Sequence, residues 1–341
     1  MKKKVLAFLI IGFAFAAFVA DKDALFVVPQ NWTAPSYDFK NNALTIDKIE
    51  LGRRLFYDPI LSRDNTISCN SCHSQYTAFA HVDHALSHGI DARIGKRNSP
   101  TLMNLAWQKS FMWDGSVPEL DAQPTAPISN PDEMDEKIEN VVAKLNDSKM
   151  YRALFYNAYK DSVASKKLLS KALSAFMLTF VSANAKYDSV MRGEAAFTAQ
   201  ENKGYELFQK NCSSCHTEPL FTNSEFKNNG LPMDTSLNDV GRMKLTKKEE
   251  DKMMFKVPSL RNIEFSYPYM HDGRFKKLSD VVKHYTSGIE KSRTLSKELE
   301  NKIVLSSNEK VDLISFLLTL TDRSFLFNPK FNDPKNIVYN K

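Results

Sequence analysis

The four cysteines of the chain fall in two stretches of one pattern, CNSCH at 69–73 and CSSCH at 212–216. A C-x-x-C spacing supports a redox dithiol, half of a zinc site, or covalent attachment of haem. A histidine directly after each second cysteine, with no cysteine left over, points to haem. In C-x-x-C-H each thiol forms a thioether to a haem vinyl group, and the histidine reaches the iron as proximal ligand. Cys69, Cys72 and His73 are therefore read as holding one c-type haem, and Cys212, Cys215 and His216 as holding a second.

Both motifs have a similar approach. GRRLFYDPILSRDNTISCNSCH begins at Gly52 and GYELFQKNCSSCH at Gly204. Each puts G-x-x-L-F on a helix that leads into the haem motif, the second by a shorter path. Thr198 and Glu201 match a capping box that starts the second helix. Helical patterning is found near 45–57, 133–147, 168–185, 198–210, 278–287 and 308–320. No sustained alternation argues for a sheet, and residues 21–44, with Pro29, Trp32 and Pro35, read as irregular. The long Asn-, Pro- and Asp-rich connections are expected to wrap haem edges. The fold class is mainly α: two tandem cytochrome c-like haem domains with long loops, dividing near MRGEAAFTAQ into 21–192 and 193–341. The last ~20 residues are expected to pack back on the first domain.

The 341 residues, 43% hydrophobic and 25% charged, suit one large or two ordinary domains. The formal charge of +6 includes Lys2, Lys3 and Lys4, which precede an apolar run from Val5 to Ala20. That arrangement is a secretory leader over residues 1–20, and the run is short for a membrane span. Phe18 stands where a small residue is expected before a cut after Ala20, so an uncleaved anchor stays open as the alternative. The expected location is the periplasm. Without the leader lysines, 43 basic residues face 40 acidic ones with no basic run, which argues against a nucleic-acid partner.

Five histidines remain for the open iron positions: His81, His84, His88, His271 and His284. Here the chain resembles the bacterial di-haem cytochrome c peroxidases and their relative MauG. The resemblance is carried by LGRRLFYDPILS, ISCNSCH, SHG at 87–89, RNSPTLMN at 97–104, MWDG at 112–115, AQ at 122–123, PISNPDEM at 127–134, CSSCH, FKVPSLRNIEFSYPYMHDGRF at 255–275, and VVKHYTSG from Val281.

The resemblance implies that peroxide reacts at the first haem and that the second handles electrons. His88 matches the distal histidine that caps the first iron at rest. Gln123 and Glu133 match the polar pair of the peroxide pocket, where a carboxylate can move a proton between the peroxide oxygens. Trp113 matches an indole between the haems. Asn98, Ser266 and Pro268 match a calcium site of hard oxygens. At the second iron the peroxidases place a Met where this chain has Tyr285, and MauG also has Tyr there. Met270, the adjacent His284 and an open site compete with Tyr285. The chain is thus peroxidase-like at the first haem and MauG-like at the second.

The expected function is reduction of hydrogen peroxide to water, with electrons from a small cytochrome c or cupredoxin. The alternatives are MauG-like oxidation of a protein or organic substrate, motivated by Tyr285, and a non-catalytic di-haem electron carrier, against which Gln123 and Glu133 argue. A homodimer is compatible with the resemblance, though no motif marks an interface.

Overall fold

The protein is described from a computed structural model, which covers residues 25–81 and 84–336. The leader at 1–20 lies outside the described residues. Helices α1 (Ile46–Tyr57), α2 (Cys69–Cys72), α3 (Ile138–Asp147), α4 (Lys149–Tyr159), α5 (Lys166–Leu178), α6 (Lys186–Met191), α7 (Ala199–Asn211), α8 (Leu278–Lys283) and α9 (Ser307–Leu318) form the frame. Among the described residues, sheet is limited to β1 (Phe226–Lys227) and β2 (Phe255–Lys256), paired antiparallel.

The long helices start where side chains satisfy free amides. Thr45 accepts from Lys48 N before α1, and Ser165 from Leu168 N before α5. Thr198 with Glu201 and Ser306 with Glu309 form capping boxes before α7 and α9.

Two helix crossings organise the chain, and they share one device. A Cβ on Gly52 of α1 would lie 1.9 Å from the Ala172 carbonyl oxygen and 2.9 Å from Phe176 Cβ on α5. A Cβ on Gly204 of α7 would lie 2.0 Å from the Asp312 carbonyl oxygen and 2.8 Å from Phe316 Cβ on α9. In both, glycine lets backbone touch backbone, and a phenylalanine one turn further on fills the crossing. Each G-x-x-L-F helix then runs on to its C-x-x-C-H.

Around the first crossing Leu51, Leu55, Phe56, Phe79, Phe176 and Phe180 are buried together. Around the second are Tyr187, Leu207, Phe208, Phe221, Phe316 and Leu320. After α9 the chain returns to the first core through Phe325, Leu326 and Phe331. Tyr57 Oη donates to Phe331 O at 2.6 Å, and Gln75 Nε2 to Asn328 O at 2.8 Å. At the other end, Trp32 stands edge-on to Trp107 with centroids 4.9 Å apart.

Some boundaries differ from expectation. The helix expected from 133 begins at Ile138, so Glu133 sits in the preceding turn rather than in a helical first turn. The helix expected over 168–185 stops at Leu178, where Thr179 Oγ1 bonds Phe176 O and closes the end. Helices α4 and α6 were not anticipated. Among the described residues no helix is long and apolar enough to cross a membrane.

Candidate haem centres

The two proximal histidines are set up alike. His73 Nδ1 lies 2.6 Å from Phe79 O, and His216 Nδ1 lies 3.0 Å from Phe221 O. A carbonyl can only accept, so Nδ1 carries the proton and Nε2 carries the lone pair that iron binds. Burial keeps both rings neutral, pushing each pKa down to about 4. Burial also pushes the Cys69 and Cys212 thiols up to about 12 and Cys72 to about 11. Neutral thiols beside a histidine of fixed tautomer, with Cys69 and Cys212 packed against the two cores, fit two covalent c-type haems.

At the first centre, Cys72 Sγ lies 3.6 Å from His88 O. The SHG loop is pressed onto the PISNPDEM turn: a Cβ on Gly89 would lie 2.2 Å from Asp132 O and 2.5 Å from Glu133 Cα. Ile90 N donates to Glu133 O at 2.7 Å. His88 and Glu133 are therefore brought together beside Cys72. Burial raises the Glu133 carboxyl above its ordinary pKa, partly opposed by Asn130 Nδ2, which donates to Oε1 at 2.7 Å. His81 and His84 join this region, with ring centroids 6.3 and 4.5 Å from that of His88. Gln123 is half-buried, at the end of a short turn from Leu120 to Ala122.

At the second centre the competing ligands gather around Asn229. His284 Nε2 lies 3.0 Å from Asn229 O, so this nitrogen carries a proton and has no lone pair for iron. Met270 Sδ accepts from Asn229 Nδ2 at 3.4 Å. Tyr285 lies in a π-helical turn from His284 to Gly288. Burial pushes its phenol up to about 12, and Cys212 and Cys215 are near enough to add to the rise. Asn229, which meets all three candidates, was not anticipated.

Trp113, for which the resemblance implies a place between the haems, donates from Nε1 to Asn98 O at 2.8 Å. Asn98 Nδ2 is 2.5 Å from Pro268 O, and Asn98 N donates to His271 O at 2.7 Å. Asn98 Oδ1 is buried without a hydrogen-bond partner among the described residues. Ser266 stands in the same turn as Pro268, with its N–H on Asn262 O at 3.2 Å. Among the described residues no group of three or more His, Cys, Asp or Glu could hold a metal. A cation here would rely on amide and carbonyl oxygens, and an orphaned amide oxygen beside a carbonyl suits calcium.

The fold and the paired centres define a mainly α protein with two cytochrome c-like haem domains. The family model for di-haem cytochrome c peroxidase matches residues 46–196. The methylamine utilization protein MauG of Methylorubrum extorquens is 36% identical over 293 residues, 82% of this chain and 80% of that protein. The cytochrome c551 peroxidase of Nitrosomonas europaea is 36% identical over 284 residues, 81% of this chain and 80% of the other. A solved MauG-like protein associated with microbial copper homeostasis matches with TM-score 0.81 at 31% identity, over 90% of this chain and 98% of that one. The chain belongs to the di-haem cytochrome c peroxidase family.

Proposed function

We propose that the protein is an exported, periplasmic di-haem oxidoreductase that reduces hydrogen peroxide and draws the electrons, MauG-like, from a protein or organic substrate. When bound, the two haems supply an iron for peroxide and a second iron for electrons. The chain's own groups do the rest. Glu133 Oε1 is held by Asn130, which leaves Oε2 to take a proton from one peroxide oxygen and return it to the other. Gln123 lines the same pocket, and His88 gates it from its loop. Trp113 couples the two centres, while Asn98, Ser266 and Pro268 hold calcium beside it.

The observation that carries the choice of reductant is Tyr285, half-buried and within electrostatic reach of Cys212 and Cys215, while the Nε2 proton of His284 is committed to Asn229 O. A phenol pushed up to about 12 would ionise only with a strong cation at its oxygen, and Tyr285 would then hold ferric iron as phenolate. Phenolate favours the higher iron states and disfavours easy uptake of an electron from a small carrier. The second reading, a cytochrome c peroxidase fed by a small cytochrome c or cupredoxin, is favoured by His88 beside Cys72.

Potentiometric titration of the holoprotein separates the two. The proposal expects both haems at low potential, with an anionic-oxygen signature that Tyr285→Phe abolishes. One haem at clearly positive potential, unmoved by Tyr285→Phe, would reject it in favour of the carrier-fed peroxidase.

A further inference from the structure

The residue before Asn98 has no role in the chemistry above, yet its side chain closes a ring around Trp113. Arg97 Nη1 donates to Asp114 Oδ2 at 2.8 Å, and Asp114 directly follows Trp113. Asn98, directly after Arg97, accepts from Trp113 Nε1 at 2.8 Å. The indole is thereby held at its nitrogen by one neighbour of Arg97, while Arg97 itself holds the side chain of the residue that follows the indole.

The same guanidinium reaches into the second half of the chain. Arg97 Nε and Nη2 bind Asp239 Oδ2 and Oδ1 at 2.6 and 2.9 Å, a two-pronged contact that fixes orientation as well as distance. Its flat face lies over Phe255, 5.5 Å from the centroid, and Phe255 stacks on His271 at 3.7 Å. His271 O in turn accepts from Asn98 N at 2.7 Å. Two further groups from the second half hold the Trp113 loop: Lys256 N donates to Trp113 O at 2.7 Å, and Arg242 Nη1 to Asp114 O at 2.8 Å.

A half-buried ion network is ordinarily just structural and of uncertain net worth. This one is different in placement. Among the described residues, every side-chain hydrogen bond of Arg97 ends on Asp114, adjacent to Trp113, or on Asp239, across the chain's two halves. We propose that Arg97, anchored by Asp239, is a positioning residue that holds Trp113 in the path between the haem centres. The proposal rests on Trp113 being that path.

The test uses the holoprotein and a photoreduced deazaflavin as one-electron donor, following electron equilibration between the haems by their Soret bands. Both midpoint potentials are measured alongside. Trp113→Phe is expected to slow equilibration. Arg97→Gln should slow it by about tenfold or more with both potentials unchanged, because a small misplacement of a positioned group costs at least that much. The double variant should be no slower than Trp113→Phe alone, since the two act through one group. Asp239→Asn, which keeps the Asp114 contact, should fall between and decides the matter if Arg97→Gln does not fold. If Trp113→Phe is slow while Arg97→Gln and Asp239→Asn match the wild type, the positioning role is wrong and the path stands. If Trp113→Phe changes nothing, the path itself is wrong. Multiplying effects in the double variant, or slowing explained by a shifted potential, would also overturn the positioning role.

Discussion

Gly204→Ala tests whether the helix crossings deliver the haem motifs. Two effects oppose each other at this site. Alanine favours a helix interior over glycine by about 1 kcal/mol, so on an exposed helix the change would stabilise. Here the new methyl would lie 2.0 Å from the Asp312 carbonyl oxygen, 2.7 Å from its carbon and 2.8 Å from Phe316 Cβ. Backbone on both sides cannot yield as a flexible side chain does, so α7 and α9 must part by roughly 1 Å to restore van der Waals contact. Overpacking a tight core costs about 1–3 kcal/mol, and a clash with backbone belongs at the top of that range. The net expectation is a loss of about 2 kcal/mol, a large share of a typical stability. Because α7 runs directly into Cys212, the second haem's spectrum should be disturbed while the first is unaffected. Urea unfolding of the holoprotein, read at unchanged slope, measures the loss. Gly95→Ala is the control, since its Cβ would meet nothing nearer than 3.6 Å. Equal or greater stability of Gly204→Ala would refute the close crossing and the helix assignment built on it.

Three further predictions concern other parts of the molecule. Glu133→Gln should slow the holoprotein's reaction with peroxide by about 10²–10⁴-fold in stopped flow. Burial raises the Glu133 carboxyl, so its proton-accepting form is lost as pH falls through that raised value; the wild-type rate should drop on the acid side, and the variant should lack this limb. Asn98→Ala removes the orphaned Oδ1 and should weaken calcium binding in calorimetry, and chelation of the wild type should disturb Trp113 through the shared residue. Arg261→Met should cost ~3–5 kcal/mol in urea unfolding, because fully buried Arg261 bonds both oxygens of Asp188, and its loss strands that carboxylate.

What was legible in the sequence is what short-range rules govern. C-x-x-C-H is contiguous, so the haem-binding residues could be read directly, and so could the Thr198–Glu201 box that starts α7. The G-x-x-L-F repeat announced two helices of one kind, but not why glycine is needed. That reason lies in the Ala172 and Asp312 carbonyls, 120 and 108 residues away along the chain. The choice among Tyr285, His284 and Met270 was open for the same cause. Neighbours along a helix differ only in direction, and direction is decided by what they meet. Asn229 is a partner that all three share, and nothing in its own surroundings sets it apart from any turn asparagine. Arg97 was hidden by its company: it stands inside a motif from which only Asn98 was singled out. Only the fold brings Asp114 and Asp239 to either side of it. Contacts that join the two halves of this chain share one trait: each partner is unremarkable locally, and the pairing carries the meaning. Those long-range pairings are where single substitutions should separate haem attachment, which local motifs secure, from communication between the haems, which they do not.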